Sequence, residues 1–246
     1  MLLHGWTATA DLNWFTCYHI LGQFFRVVAL DHRGHGRGIR SKRRFRLVDC
    51  ADDAIAVADA LGIERFVAVG YSMGGTVAQL LARDHADRLE GLVLCSTAGW
   101  FTTNSRTKLP FITMAGLAAV ARITPAQLRE RITDQVYLQR KARQWEPWAI
   151  QEVSRHDWRA VLEAGQAIGA FASRDWLPAI TTPTSVVITM NDRIVPTRRQ
   201  IALFLLIPGA EAYRIDGDHD TVVALADDYV PLLLRAIRST LDRPNR

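Results

Sequence analysis

One serine stands between glycines, in the segment Gly70-Tyr71-Ser72-Met73-Gly74. The residues before this segment are apolar or small and predict a strand, and the run "GTVAQLLARDH" after it predicts a helix. A Gly-x-Ser-x-Gly sequence at such a corner holds the serine on a strained turn, where glycines remove the side chains that would clash. The helix N-terminus directs partial positive charge to this point, and the Met73 N–H is free to bind an oxyanion. Ser72 is therefore a candidate nucleophile, and a plain tight turn is the alternative.

A serine nucleophile needs a general base, and the base needs an acid to orient it. Asp192 follows the apolar segment "SVVITM", and His219 follows "AYRID". A nucleophile elbow is followed along the chain by the acid and then by the histidine, each after a strand. Of the seven histidines, only His219 comes after the last predicted strand. We therefore predict a Ser72–His219–Asp192 catalytic triad.

Other acids near His219 are weaker candidates. The neighbouring aspartates are Asp216, Asp218 and Asp220. Residues so close in sequence rarely reach the far nitrogen of the ring, so we interpret them as turn and cap residues. The segment "GDHD" has the residue types of a metal site, but no second histidine or cysteine set lies nearby in the sequence. We predict no metal.

The elements that must position these side chains alternate between strand and helix. Predicted strands cover 25–31, 65–70, 91–96, 184–192 and 211–217, and predicted helices lie between them, the last one over 221–241. This alternation predicts an α/β fold with a mostly parallel sheet flanked by helices. Gly62 is expected to end the helix of "VDCADDAIAVADALG".

One stretch, 101–176, has only helical patterns and interrupts the alternation before the strand that carries Asp192. We expect residues 1–100 and 177–246 to form the core and 101–176 to form a helical lid. The stretch contains Trp145, Trp148, Trp158 and Trp176. Such aromatic residues suit the cover of an apolar pocket, and contacts among the helices of the insertion are the alternative.

Composition limits the class of protein. The chain has 246 residues, of which 49% are hydrophobic, which suits one domain with a full core. No apolar run reaches the ~20 residues that span a bilayer, and the start has no signal-peptide pattern. The three cysteines show no metal-site spacing and their number is odd. We expect a cytoplasmic protein with buried thiols and no stable membrane insertion.

The net charge is +5, and much of the excess lies in "RGIRSKRRFR", residues 37–46. Such a stretch suits an anionic surface or nucleic acid, or it forms a solvated loop. The stretch is short and carries no nucleic-acid-binding signature. We expect the solvated loop and no nucleic-acid partner.

Two further segments support a resemblance to a known family. "LLHGW" (2–6) matches a His-Gly-x segment, and "DHRGHGRG" (31–38) matches a D-x-R-G-x-G loop. Together with Ser72, Asp192 and His219, these segments resemble the α/β-hydrolases, in particular the lidded esterases, non-heme haloperoxidases and carbon–carbon bond hydrolases. The resemblance extends over nearly the whole chain.

The resemblance implies that the backbone N–H groups of Trp6 and Met73 form the oxyanion hole. It also implies acyl transfer to water without a cofactor, acting on a small apolar substrate. His4, His32 and His35 then have structural roles. His85 and His156 are interpreted as surface helix residues. A serine nucleophile argues against the dehalogenase and epoxide hydrolase branches, which attack with a carboxylate.

The start of the chain departs from the family pattern. Only Leu2 and Leu3 precede the His-Gly-x segment after Met1, where the family has two strands and then a complete third strand. Unpaired strand edges inside a sheet are costly. We therefore expect that the natural chain begins upstream, that another segment fills the gap, or that the protein is a fragment.

The function predicted is hydrolysis of an ester or related acyl bond. A carbon–carbon bond hydrolase or perhydrolase would use the same triad, because specificity depends on the shape of the lid and pocket. A ligand-binding fold with little turnover and a truncated, inactive product are the non-enzymatic alternatives. The sequence leaves the substrate, its acyl length and the oligomeric state open.

Overall fold

The computed structural model describes residues 1–102, 105–125, 127–128, 131 and 145–244. Six strands form one sheet in the order β2-β1-β3-β4-β5-β6, and every neighbouring pair is parallel. The strands are β1 (Leu2–Leu3), β2 (Ala29–Leu30), β3 (Phe66–Tyr71), β4 (Leu89–Cys95), β5 (Thr184–Thr189) and β6 (Glu211–Ile215). The predicted parallel α/β sheet is confirmed.

Helices cover both faces of this sheet. They are α1 (Ala10–Gly22), α2 (Leu47–Ala60), α3 (Met73–Asp84), α4 (Ser105–Ile123), α5 (Pro147–Ser154), α6 (Trp158–Ala170), α7 (Thr197–Leu206), α8 (Thr221–Ala224) and α9 (Ala226–Leu241). One buried cluster lies under α2, α3 and α7, and a second lies under α1 and α9. As predicted, helix α2 ends before Gly62, which has a φ of 64°.

The last helix differs from the prediction. Residues 221–241 form two helices rather than one, because Leu225 has φ −125° and ψ 42° and interrupts the helical backbone. Buried side chains of α9, among them Leu233 and Ile237, still pack against the sheet. The break at Leu225 therefore separates the short helix α8, which follows His219, from α9.

Strand β1 lies between β2 and β3 and bridges the sheet there with only two residues. Leu2 and Leu3 pair with β2 on one side and with Val69 and Gly70 on the other, and the Met1 amino group donates to the Val67 carbonyl at 2.7 Å. The residues before His4 therefore pair with both neighbours, and no substitute segment from the described part of the chain lies between β2 and β3.

The short β1 also explains why the strand predicted over 25–31 is wrong in length. Only Ala29 and Leu30 are paired, because β1 offers two partner residues, and they are half-buried rather than buried. Beyond the pairing, a cleft of about 600 Å³ opens between Phe25, Val27 and Phe66. This cleft lies at the amino end of the strands, whereas Ser72 follows the carboxyl end of β3.

Between β4 and β5, the regular elements of the described residues are the helices α4, α5 and α6, apart from one bridge between Trp100 and Ala172 and a single 3₁₀ turn before β5. Helices α4 and α6 pack closely, since a Cβ on Gly169 would overlap the ring of Phe111. The insertion is also tied to the core, because the Trp6 indole N–H donates to the Val161 carbonyl at 2.7 Å. Parts of the predicted lid, including 132–144, lie outside the described residues.

The basic stretch, 37–46, makes many internal bonds. Arg37 pairs with Asp11 at 2.5 Å and with Glu152 of α5 at 3.3 Å. Arg40 donates to the carbonyls of Gly36 and Arg155. These guanidinium groups join the loop to the insertion.

Within the described ranges, no helix combines the length and apolarity that crossing a bilayer requires. The three cysteines, Cys17, Cys50 and Cys95, are buried free thiols. Burial raises the pKa of the Cys17 thiol to about 11, so this side chain packs as a neutral group.

Candidate active site

Ser72 lies at the turn between β3 and α3 and has φ 53° and ψ −113°, a conformation that non-glycine residues rarely adopt. Its N–H donates to the Cys95 carbonyl at 2.9 Å, and its carbonyl accepts from the Gly75 N–H at 2.9 Å. The structure therefore has the strained turn that the Gly-x-Ser-x-Gly sequence predicts, and the neighbouring strand β4 holds it in place.

Gly74 and Gly70 are required at this turn by close approach. A Cβ on Gly74 would overlap the Leu3 carbonyl, and a Cβ on Gly70 would overlap the Gly74 carbonyl. Both obstacles are backbone atoms, which cannot move aside as a flexible side chain can. The two glycines therefore let β1 and α3 approach the turn that presents Ser72.

His219 lies between Ser72 and Asp192. Its Nε2 is 3.0 Å from Ser72 Oγ, and its Nδ1 is 2.8 Å from Asp192 Oδ2. An ionised carboxylate only accepts hydrogen bonds, so Nδ1 carries the proton and Nε2 is left to accept from the serine hydroxyl. The structure brings together the three side chains predicted as the triad, and this arrangement matches a general base with its orienting acid.

Asp192 is buried and held on both carboxylate oxygens. Oδ1 accepts from the backbone N–H groups of Ile194 at 2.8 Å and Val195 at 2.7 Å. Oδ2 accepts from His219 and from the side-chain amide of Gln200 at 2.9 Å. Sequence reasoning missed Gln200, which lies in α7 and belongs to no recognised motif.

The loop that carries His219 is fixed from two sides. The Tyr71 hydroxyl donates to the His219 carbonyl at 2.6 Å, and Asp218 accepts from the His219 N–H at 2.8 Å. Burial raises the pKa of Tyr71, so its hydroxyl keeps the proton that it donates. Hydrogen bonds from the backbone of Arg193 and His219 lower the pKa of Asp218 to about 2. Asp218 thus acts as a turn residue, as the sequence suggested, while the role of Tyr71 was not predicted.

The segment that is predicted to contribute to the oxyanion hole lies next to Ser72. A Cβ on Gly5 would stand 3.5 Å from the Cβ of Ser72, so the His-Gly-x segment runs directly past the nucleophile. Met73 is the first residue of α3, and its N–H has no acceptor within the helix. The arrangement suits the predicted donors Trp6 and Met73, whose roles stay predictions.

Four other histidines form a separate buried cluster beside the site: His4, His32, His35 and His156. Their neighbouring ring centroids are 4.5 to 5.4 Å apart. The prediction that His156 is a surface residue is wrong. Its Nδ1 accepts from the Gly36 N–H at 2.9 Å, and its Nε2 lies 3.1 Å from the Thr7 carbonyl. His156 therefore links the insertion to two core loops, in the structural role expected for the other three.

In the part of the chain that the structure describes, no group of three or more His, Cys, Asp or Glu side chains has the arrangement of a metal site. The aspartates around His219 illustrate why. Asp218 bonds the backbone of Arg193 and His219, and Asp192 bonds the imidazole. The carboxylate oxygens of Asp218 and Asp192 thus accept hydrogen bonds from the loop backbone and from the His219 ring.

Comparison with known proteins gives the same fold. A putative carbamate hydrolase, RutD, of Yersinia enterocolitica is 29% identical over 223 residues, which are 87% of this chain and 78% of that protein. The Caulobacter vibrioides RutD is 42% identical over 101 residues, covering 41% of this chain and 37% of that one. A thermophilic esterase from Thermogutta terrifontis superposes with a TM-score of 0.77 at 26% identity and covers 97% of this chain and 89% of its own.

The family model for the alpha/beta hydrolase fold matches residues 1–219. This span runs from β1 through the elbow at Ser72 to His219, and it therefore includes every predicted site residue. The chain belongs to the alpha/beta hydrolase fold family.

Proposed function

We propose that this chain is a serine hydrolase that cleaves an ester or related acyl bond of a small apolar substrate. The observation that carries the proposal is the continuous hydrogen-bonded path from Ser72 through His219 to Asp192, with heavy-atom distances of 3.0 and 2.8 Å. This path starts at a strained serine on a helix N-terminus, which is the geometry of an activated nucleophile.

The reaction proceeds through an acyl-enzyme. Ser72 Oγ attacks the carbonyl carbon of the substrate while His219 Nε2 accepts the hydroxyl proton. The imidazolium is stabilised by Asp192, and the N–H groups of Trp6 and Met73 bind the oxyanion. His219 then gives its proton to the leaving group. In the second half, His219 takes a proton from water, which attacks the acyl carbon. The bond between the acyl carbon and Ser72 Oγ then breaks, His219 returns the proton to Ser72 Oγ, and the acid product is released.

The predicted apolar substrate is supported by the residues of the insertion next to Trp6. A Cβ on Gly165 of α6 would lie 2.5 Å from Met114 Sδ and 2.7 Å from the Trp6 ring. The Met114 side chain of α4 and the Trp6 ring therefore both lie against α6 at Gly165, next to the predicted oxyanion donor. In this proposal, residues 101–176 form the lid over the acyl pocket.

Carbamate hydrolysis is a second candidate, because two of the similar proteins are putative carbamate hydrolases. A carbamate carbonyl is attacked by the same nucleophile and stabilised by the same oxyanion donors. The difference lies in the nitrogen substituent, which requires polar partners in the pocket.

The test is hydrolysis of p-nitrophenyl esters of increasing acyl length and of aryl carbamates, by the native chain and by Ser72→Ala. Ser96→Ala is a matched control, because Ser96 is also buried with a positive φ of 47° and follows the neighbouring strand β4. We expect turnover that disappears in Ser72→Ala and persists in Ser96→Ala. Turnover that survives in Ser72→Ala would overturn the proposal, and the preferred substrate series would decide between ester and carbamate.

A further inference from the structure

Gln200 is a fully buried amide on the side of Asp192 that faces away from solvent. It lies in α7 and has 0% relative exposure. Its Oε1 accepts from the Thr189 N–H at 3.0 Å. Its Nε2 donates to Asp192 Oδ2 at 2.9 Å and to the Val195 carbonyl at 2.8 Å. Both the oxygen and the nitrogen of the Gln200 amide therefore form hydrogen bonds.

These bonds fix the direction in which the amide points. The Thr189 N–H is a donor and needs an oxygen, so Oε1 must face the end of β5. The NH₂ group must then face Asp192 and Val195. Helix α7 is held in place at its start, because Thr197 Oγ1 donates to the Thr189 and Met190 carbonyls at 2.8 Å. The amide therefore has one orientation and a rigid support.

Gln200 donates to the same carboxylate oxygen that accepts from His219. Oδ1 of Asp192 is held by two backbone N–H groups, whereas the only other protein donor to Oδ2 among the described residues is Gln200. Without this amide, Oδ2 would be held by the imidazole alone. The backbone N–H groups of Ile194 and Val195 would still hold Oδ1, but the only donor left to fix Oδ2 among the described residues would be the imidazole that Asp192 has to orient.

We propose that Gln200 is a positioning residue of the triad, which holds Asp192 Oδ2 toward His219 and stabilises its negative charge. This inference rests on the proposed serine hydrolase function and deepens it. Gln200 touches no reacting atom and acts through Asp192. Its contribution appears in kcat, because a misaligned acid lowers the fraction of correctly oriented imidazole without changing how the substrate binds.

Two substitutions separate this role from a merely structural one. Gln200→Leu removes all three hydrogen bonds at similar size, and we expect kcat to fall about tenfold or more with KM within about twofold. In Gln200→Glu, a protonated carboxyl retains a donor to Asp192 and an acceptor for the Thr189 N–H. We expect this variant to stay within about threefold of the native kcat while the new carboxyl is protonated.

The sign of the pH dependence follows from charge. When the carboxyl introduced by Gln200→Glu loses its proton, a second negative charge lies against Asp192 Oδ2 and the donor is lost. The ratio of variant to native kcat should therefore fall as the pH rises.

Gln79→Leu is the matched control. Gln79 also has 0% relative exposure, donates to the Gly75 and Ala98 carbonyls, and accepts from Ser173 at 2.7 Å. Its loss costs buried hydrogen bonds without touching Asp192. We expect Gln79→Leu to lower stability as Gln200→Leu does, while kcat stays within about threefold of the native value.

A readout independent of turnover is the downfield proton NMR signal of the His219 Nδ1–H, identified by its loss in His219→Asn. We expect this signal to shift or broaden in Gln200→Leu and to be unchanged in Gln79→Leu. An unchanged signal together with a native kcat in folded Gln200→Leu would overturn the inference. If the signal changes in Gln200→Leu but the native protein hydrolyses neither esters nor carbamates, the positioning role of Gln200 is supported and only the proposed function is contradicted.

Discussion

The partly exposed His219 and a cluster of four buried histidines differ in what surrounds their imidazole rings. His219 has a carboxylate on one nitrogen and a serine hydroxyl on the other, and 21% of its side chain is exposed. The cluster of His4, His32, His35 and His156 is buried, and its rings mostly meet backbone groups and one another. Only the first arrangement can accept a proton and stabilise the resulting charge.

In the cluster of His4, His32, His35 and His156, the surroundings of the rings disfavour a positive charge. Burial lowers the pKa of His32 to about 3, and the neighbouring His35 contributes to this shift. Burial also lowers the pKa of His4, His35 and His156. These rings stay neutral and hold the loops around the site. An imidazole in this fold therefore becomes a base through its carboxylate partner and its access to substrate, and not through burial.

The largest loss of activity is expected when His219 is replaced. His219→Asn removes the base that contacts Ser72, so we expect kcat/KM to fall by about 10⁴-fold or more. The free energy of unfolding should change little, because the side chain is partly exposed. Ester hydrolysis and a urea titration of the same preparation measure the two effects.

Replacing the carboxylate partner is the next test. Asp192→Asn keeps the size of the side chain but removes the negative charge that stabilises the imidazolium. We expect a loss of about 10³- to 10⁴-fold in kcat with a smaller change in KM. Activity within tenfold of the native value would show that Asp192 does not orient His219.

The cluster should reveal itself in the pH dependence of stability. The pKa of His32 is lowered from 6.5 in the unfolded chain to about 3 in the folded protein, so protons bind preferentially to the unfolded state in this range. The contribution of neutral His32 to the free energy of unfolding should be fully present above about pH 6.5 and should be lost progressively as the pH decreases toward 3. Each histidine that is neutral in the folded protein but protonated in the unfolded chain lowers the free energy of unfolding by roughly 1.4 kcal/mol per pH unit of acidification. Urea titrations between about pH 7.5 and about pH 4.5 measure this slope.

His32→Leu is the control for this slope. Neither ring nitrogen of His32 has a side-chain hydrogen bond in the described part of the chain, so the substitution breaks none. We expect little change in stability at about pH 7.5 and a shallower decline below it. A slope equal to that of the native protein would show that His32 does not supply the effect.

The smallest effect is expected for His156→Phe. This change leaves the buried Gly36 N–H without its acceptor and should cost about 1–3 kcal/mol of stability. The kcat of the folded fraction should stay within about threefold of the native value. A loss of kcat as large as that of His219→Asn would place His156 in the chemistry and contradict the comparison.

The parallel sheet and the candidate triad were predictable because each depends on local signals. Ser72, Asp192 and His219 each follow a strand, and in a parallel sheet the carboxyl ends of those strands meet at one edge. The order of the three residues along the chain then indicated which histidine and which acid meet. The need for a residue without a side chain at Gly74 was likewise indicated by its place in the elbow sequence, whereas its contact with β1 was found only in the structure.

Other features depend on contacts between distant parts of the chain. His156 meets Gly36 across 120 residues, and no periodicity in its own segment indicates that contact. Gln200 reaches Asp192 because the loop at Val195 turns back, and eight residues of spacing form no recognised motif. The length of β2 depends on how many residues β1 offers, so the strand propensity of 25–31 overstated it.

The measurement that tests the central claim most directly is the rate of fluorophosphonate labelling, with the labelled peptide mapped by mass spectrometry. We predict a label on Ser72 that is absent in Ser72→Ala. In His219→Asn, labelling should be at least about 100-fold slower, and in His32→Leu it should proceed at the native rate. A folded native protein that takes no label, or an equal rate in His219→Asn, would contradict the claim that His219 activates Ser72.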